Sequence, residues 1–239
     1  MNETAAIITL IISALTGGLA ALLMQINRTS KIKLLLSFSG AFLLGICVLH
    51  LLPEVYAGHN DTFPVSIAVI AGFLLQLFLE FLSRGIEHGH IHTKNEGHFP
   101  VTVILALCIH AVIEGMALYT GDETHHTKTH LLLGIALHKI PISLVLVVLL
   151  LKQQIKTPLI LLTLLFFALC APAGMLLSQS TVAAKIVSNE QIILGVALGI
   201  MLHISTVILF ESTEHHKFQS KKFIVILAGF IAAVGVSLL

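Results

Sequence analysis

An imidazole and a carboxylate one helical turn apart inside an apolar stretch form a two-ligand clamp for a metal ion. The segment Cys108-Ile109-His110-Ala111-Val112-Ile113-Glu114-Gly115-Met116 carries such a pair, with His110 and Glu114 at i and i+4 on one helix face. A second stretch reads Ala136-Leu137-His138-Lys139-Ile140-Pro141-Ile142-Ser143. There Pro141 removes one ladder hydrogen bond and releases the Leu137 carbonyl beside His138. Three further groups stand in apolar surroundings. His203 has Glu211 eight residues later on the same face, His50 has Glu54 at i+4, and Glu80 has Arg84 at i+4. His203 suits either an exit path for an ion, completing a ligand set, or a hydrogen bond within the protein. His50 and Glu54 suit an entrance relay or a helix end beside Pro53. Glu80 and Arg84 read as an interfacial ion pair.

The elements that must position these groups are membrane helices. The 239 residues are 56% hydrophobic and 10% charged, and the mean hydropathy is +1.00, outside the range of a soluble domain. Apolar segments at 5–24, 34–54, 65–85, 99–119, 130–151, 157–178, 191–211 and 222–239 each match the roughly 20 residues a helix needs to cross the hydrocarbon core. Short connections predict one transmembrane domain over 1–239, an all-α bundle of eight spans with a His-rich loop at 86–98. The N-terminus lacks a basic region and a small-residue cleavage pattern, so the first segment is expected to be a retained helix. Cys47, Cys108 and Cys170 fall singly in apolar stretches and read as packing residues. A net charge of +1 without a basic block gives no reason to expect nucleic acid; the expected partners are the lipid bilayer and small cations.

Basic residues set the expected orientation. Arg28, Lys31, Lys33, Arg84, Lys94, Lys152, Lys156, Lys217, Lys221 and Lys222 fall in one set of connections, Lys128 and Lys185 in the other. The rich side faces the cytoplasm, which puts both termini outside it, in a multi-pass protein of the cell (plasma or inner) membrane. Four of the 14 histidines, His50, His110, His138 and His203, are then intramembrane. The other ten lie in connections, and nine of them cluster: His88, His90, His92 and His98 on the cytoplasmic side, His125, His126 and His130 outside, and His215 with His216 inside. Such tracts serve as metal-binding loops or as solvated loops without defined geometry.

Depth brings the intramembrane groups to one level. At 1.5 Å per residue, His110 and Glu114 lie roughly 16 and 22 Å into their helix from the cytoplasmic start, and His138 roughly 12 Å from the opposite end of its own. In a core about 30 Å thick these levels agree to within about a turn. An ionisable group there costs several kcal/mol unless partnered. For Lys139, the deep carboxylate within reach is Glu114.

The pattern His110-x-x-x-Glu114-Gly115 followed by His138-Lys139-Ile140-Pro141, in spans four and five of eight, resembles the ZIP (Zrt/Irt-like) family of metal transporters. The resemblance extends over the chain, to the His-rich loop after the third span and to Leu51-Leu52-Pro53-Glu54 closing the second. It implies a 3+2+3 arrangement in which spans one to three and six to eight form inverted repeats. It further implies a transport site on spans four and five that moves divalent metal, Zn²⁺ before Fe²⁺ or Mn²⁺, toward the cytoplasm. Metal is then the substrate and no cofactor is required; a homodimer is compatible with such a bundle.

The same family commonly has a second, adjacent metal site, and this chain departs from it. Ala111 stands where the family carries Asn, Lys139 where it carries an acidic residue, Ile142 with Ser143 where it carries Glu-Gly, and Ala171 before Pro172 where it carries Glu. The comparison implies one metal held by His110, Glu114 and His138, completed by water, a carbonyl or His203. Lys139 then stands in for the charge of the second metal. An intramembrane zinc-dependent hydrolase would also use three protein ligands and a water, but no His-Glu-x-x-His motif and no second carboxylate near Glu114 is present, so an enzyme is not expected. A metal sensor that does not transport is the remaining alternative.

A flexible tract can buffer ions without shaping a conduction path. Deleting residues 88–98 should therefore lower metal uptake into proteoliposomes less than threefold, whereas complete loss would make the tract part of the path.

Overall fold

The computed structural model describes residues 2–24, 29–57, 61–83, 85, 99–119, 125–179, 190–211 and 220–238. The first span is Glu3–Met24. The second runs from Thr29–Ile46 through a π-helical turn at Cys47–Leu51 into Leu52–Tyr56. Phe63–Ser83, Val101–Tyr119, His125–Lys152, Thr157–Ser178, Glu190–Glu211 and Ser220–Ser237 form spans three to eight. All eight are long and apolar enough to cross a bilayer, and no strand occurs among the described residues. The tract around His88, His90 and His92 lies outside the described residues, as do Arg84, the His215–His216 pair and the Glu211 side chain.

The π turn has a local cause. Pro53 has no N–H and its ring crowds the carbonyl four residues back. The widened turn accommodates this, with the Leu52 N–H reaching the Cys47 carbonyl. The fifth span corrects the sequence reading at its start: His125, His126 and His130, expected in a connection, belong to a 28-residue helix. From His125 to His130 no Gly or Pro stops the helix, and the side chain of His130 is buried.

Helix contacts reveal the symmetry of the bundle. Span three packs on seven and two on eight; one packs on five and four on six; two packs on five and four on seven. Exchanging one with six, two with seven, three with eight and four with five maps each of these pairs onto its mate. A displacement of five spans reverses direction across the bilayer, so the repeats are inverted, and four with five form the middle element of a 3+2+3 bundle. The fifth span is the most enclosed, with 83% of its apolar window buried against 17% for the eighth. Apolar side chains such as Phe81, Phe210 and Ile231 point outward, as a lipid-facing surface requires.

Lipid tails are as apolar as leucine, so association rests on close backbone packing. Reciprocal glycines provide it. A Cβ at Gly115 would overlap the Ala171 carbonyl and one at Gly174 the Val112 carbonyl, locking spans four and six. Gly72 meets the Val196 carbonyl and Gly199 the Val69 carbonyl in the same way between spans three and seven.

The Gly72 and Gly199 contacts lie away from the His110, Glu114 and Lys139 positions. Gly72→Val and Gly199→Val should each destabilise the purified protein by about 1–3 kcal/mol, read as a lower melting temperature in detergent. Unchanged melting in both would show that the spans do not depend on this approach.

Candidate metal site

Spans four and five bring His110, Glu114 and His138 together in the bundle interior. One ligand atom from each lies within 4.8 Å of the other two, and their exposures are 1%, 1% and 0%. Ligand atoms around a tetrahedral zinc are about 3.4 Å apart, so a small contraction closes the set on an ion. Glu114 Oε1 approaches His110 Nε2 to 3.1 Å, so these two ligand atoms already sit at one place in the interior. The His110 and His138 rings stand edge to face, centroids 6.2 Å apart and planes at 89°.

The other oxygen of the carboxylate is engaged. Lys139 Nζ donates to Glu114 Oε2 at 3.2 Å, and both side chains are 1% exposed. The same ammonium lies 5.2 Å from the centre of the Phe167 ring, within cation–π range. Glu114 is thereby divided, one oxygen toward the imidazoles and one toward the lysine. Ala111, Ile142, Ser143 and Ala171 are all buried and bring no carboxylate to this region.

Ser39 of the second span was not legible as a site residue, because a serine in a membrane helix commonly bonds its own backbone. Here its Oγ lies 3.3 Å from His138 Nδ1. A partner at Nδ1 orients the ring and leaves Nε2 as the ligand atom.

The remaining candidates lie elsewhere. His203 is not part of the three-residue group; its Nε2 is 3.4 Å from Glu80 Oε2 and its ring meets Phe73 edge on at 4.7 Å. Spans three and seven are the pair locked by Gly72 and Gly199, so His203 is drawn to the third span rather than to the fifth. Glu80 accordingly has a partner that the Arg84 reading did not include. His50 sits in the π turn against His130 and Ser237. Lys222, counted with the basic connections, is buried at the start of the eighth span and donates to the Leu209 carbonyl at 2.9 Å.

Residues 88–237 match the family model described as ZIP zinc transporter. The chain belongs to that family and is a multi-pass membrane protein. It is similar to zinc transporter ZIP9 of Xenopus tropicalis, 27% identical over 157 residues that make up 60% of this chain and 50% of the relative. Zinc transporter ZIP9-B of Xenopus laevis is 29% identical over 161 residues, 63% and 51% of the two chains. Zinc transporter ZIP9 of Micropogonias undulatus is 30% identical over 160 residues, 60% and 49%. The chain spans about half the length of the curated relatives it matches.

Removing one member of a buried ion pair leaves the other uncompensated, at a cost of about 3–5 kcal/mol. Lys139→Met should therefore lower the melting temperature of the metal-free protein, and Zn²⁺ should restore more of it than it adds to the unmodified protein. Equal metal-induced shifts in the two proteins would mean that Lys139 and the ion do not share Glu114.

Proposed function

We propose that this protein moves a divalent transition metal, Zn²⁺ foremost, across the membrane toward the cytoplasm, with the ion passing through His110, Glu114 and His138. The observation that carries the reading is the convergence of two imidazoles and one carboxylate within 4.8 Å in the bundle interior. Imidazole nitrogens select zinc-like ions over Mg²⁺ or Ca²⁺. Three protein ligands leave a fourth position for water or for exchange. Family membership and the relatives, whose names describe zinc transporters, support the same substrate class.

Lys139 serves as the charge that replaces a second metal. With Glu114 balanced by Lys139, the site carries no net charge before the ion arrives, so a dication is held less tightly than by two free carboxylates. That favours release. The ligands are enclosed, so loading and unloading need the packed spans to shift, as in other inverted-repeat transporters. His203 with Glu80 supports a later station on the path rather than a fourth ligand. Transport toward the cytoplasm is what the family resemblance implies, and the extracytoplasmic termini rest on the basic residues in and beside one set of connections in the sequence.

A hydrolase needs a base beside the metal-bound water, whereas the carboxylate of this group is divided between His110 and Lys139. The test is uptake of radiolabelled Zn²⁺ into proteoliposomes. The unmodified protein should transport, and Glu114→Ala and His138→Ala should each fall at least a hundredfold while still inserting and folding. Normal rates in both variants would place the path elsewhere; binding without any uptake by the unmodified protein would leave a sensor.

A further inference from the structure

The face of the bundle that bears the chain termini holds a second pair of histidines. His50 comes from the π turn of the second span and His130 from the first turns of the fifth; their rings are 4.0 Å apart between centroids and tilted by 33°. Both helices also build the mid-membrane site, through Ser39 and His138. Along the fifth span, His130 and His138 are eight residues apart, two turns on one face and about 12 Å in height. Between them Gly134 packs on Leu43 and Ile46 of the second span.

Hydrogen bonding fixes which imidazole atom is offered. The Ser237 hydroxyl has one proton and two close contacts, and both are hydrogen bonds when that proton goes to the Ala233 carbonyl at 2.8 Å, which can only accept. Toward His50 Nε2, 2.7 Å away, the serine oxygen is then an acceptor, so Nε2 carries the ring proton. Nδ1 of His50 is left with its lone pair, the form in which imidazole binds metal. His130 is 8% exposed, and its Nδ1 is buried without a hydrogen bond among the described residues. Two histidines in contact, one with its tautomer set from behind and one with a buried nitrogen that has no hydrogen bond among the described residues, are poorly explained as packing, since a buried polar atom left unmet costs about 1–3 kcal/mol. Adjacent imidazoles on a tetrahedral zinc have ring centres about 5 Å apart. Parting by about an ångström, with a turn of the rings that brings one nitrogen of each onto the same point, would admit an ion that repays this cost.

We infer that His50 and His130 form a second binding site for a divalent transition metal, separate from His110, Glu114 and His138, on the face that bears the termini. Two nitrogen ligands, completed by water at the partly exposed His50 side, suit Zn²⁺, Ni²⁺ or Cu²⁺ and discriminate against Mg²⁺ and Ca²⁺. As a loading station two turns before the mid-membrane ligands the site rests on the transport reading; as a binding site it does not. Of the pair His50 and Glu54, His50 meets a second imidazole, that of His130.

Carbethoxylation of His50, read by mass spectrometry on the full chain in lipid nanodiscs with Zn²⁺ as the probe, tests the inference at the residue itself and is indifferent to the His-rich loop. Zn²⁺ should slow modification of His50 at least tenfold and saturably, while Mg²⁺ should not. Protection should persist in Glu114→Ala, disappear in His130→Ala and in the more conservative His130→Gln, and require about tenfold more Zn²⁺ in Ser237→Ala, where the tautomer is no longer set. An unprotected His50, or equal protection with and without His130, overturns the inference. The two readings fail separately: transport by Glu114→Ala with His50 still protected defeats the mid-membrane path alone, and loss of transport in Glu114→Ala with His50 unprotected defeats this site alone.

Discussion

The buried ion pair between Lys139 and Glu114 is the interaction on which the rest of the site depends. Withdrawing each charge from water costs several kcal/mol. Their attraction at 3.2 Å returns about 5 kcal/mol at the effective dielectric constant of a protein interior. The attraction offsets a large part of that cost rather than exceeding it, so the pair is tolerated rather than strongly stabilising. The Phe167 ring adds a further favourable contact for the ammonium. What the pair achieves is positional: it fixes one carboxylate oxygen and leaves the other toward the imidazoles.

Close packing keeps that arrangement enclosed. Gly115 follows Glu114 directly and meets the Ala171 carbonyl, so the carboxylate is anchored on a helix that cannot draw away from the sixth span without losing backbone contact. Ala171 and Ala111 are fully buried and bring no ligand that could compete with Lys139 for Glu114. The alternative, a pair of carboxylates at these positions, would demand a second cation to balance them; a covalently tethered ammonium meets the same demand with no ion to lose.

The eight spans were legible because a bilayer allows little else: each apolar run of about 20 residues had one structural solution. The grouping of His110, Glu114 and His138 was legible for a related reason, since depth along a straight helix is set by residue count. Contacts across the bundle were not. Ser39 behind His138, Glu80 beside His203 and His130 beside His50 depend on which helix faces which, and hydropathy is blind to rotation about the helix axis. His130 was hidden further by its setting, because Thr127, Lys128 and Thr129 give it the composition of a loop although the helix continues through them. The inverted repeat was implied by resemblance and became a physical statement once the helix pairs could be exchanged one for one.

The central claim is that Lys139 occupies the place of a second cation beside Glu114, and the most direct measurement is the number of metal ions within reach of that carboxylate. Anomalous scattering at the zinc edge, from crystals of the protein lacking residues 88–98, counts them in place. The account predicts one ion among His110, Glu114 and His138, with the Lys139 ammonium still against the other carboxylate oxygen. Two ions at Glu114, or a Lys139 turned away into a separate cavity, would contradict it.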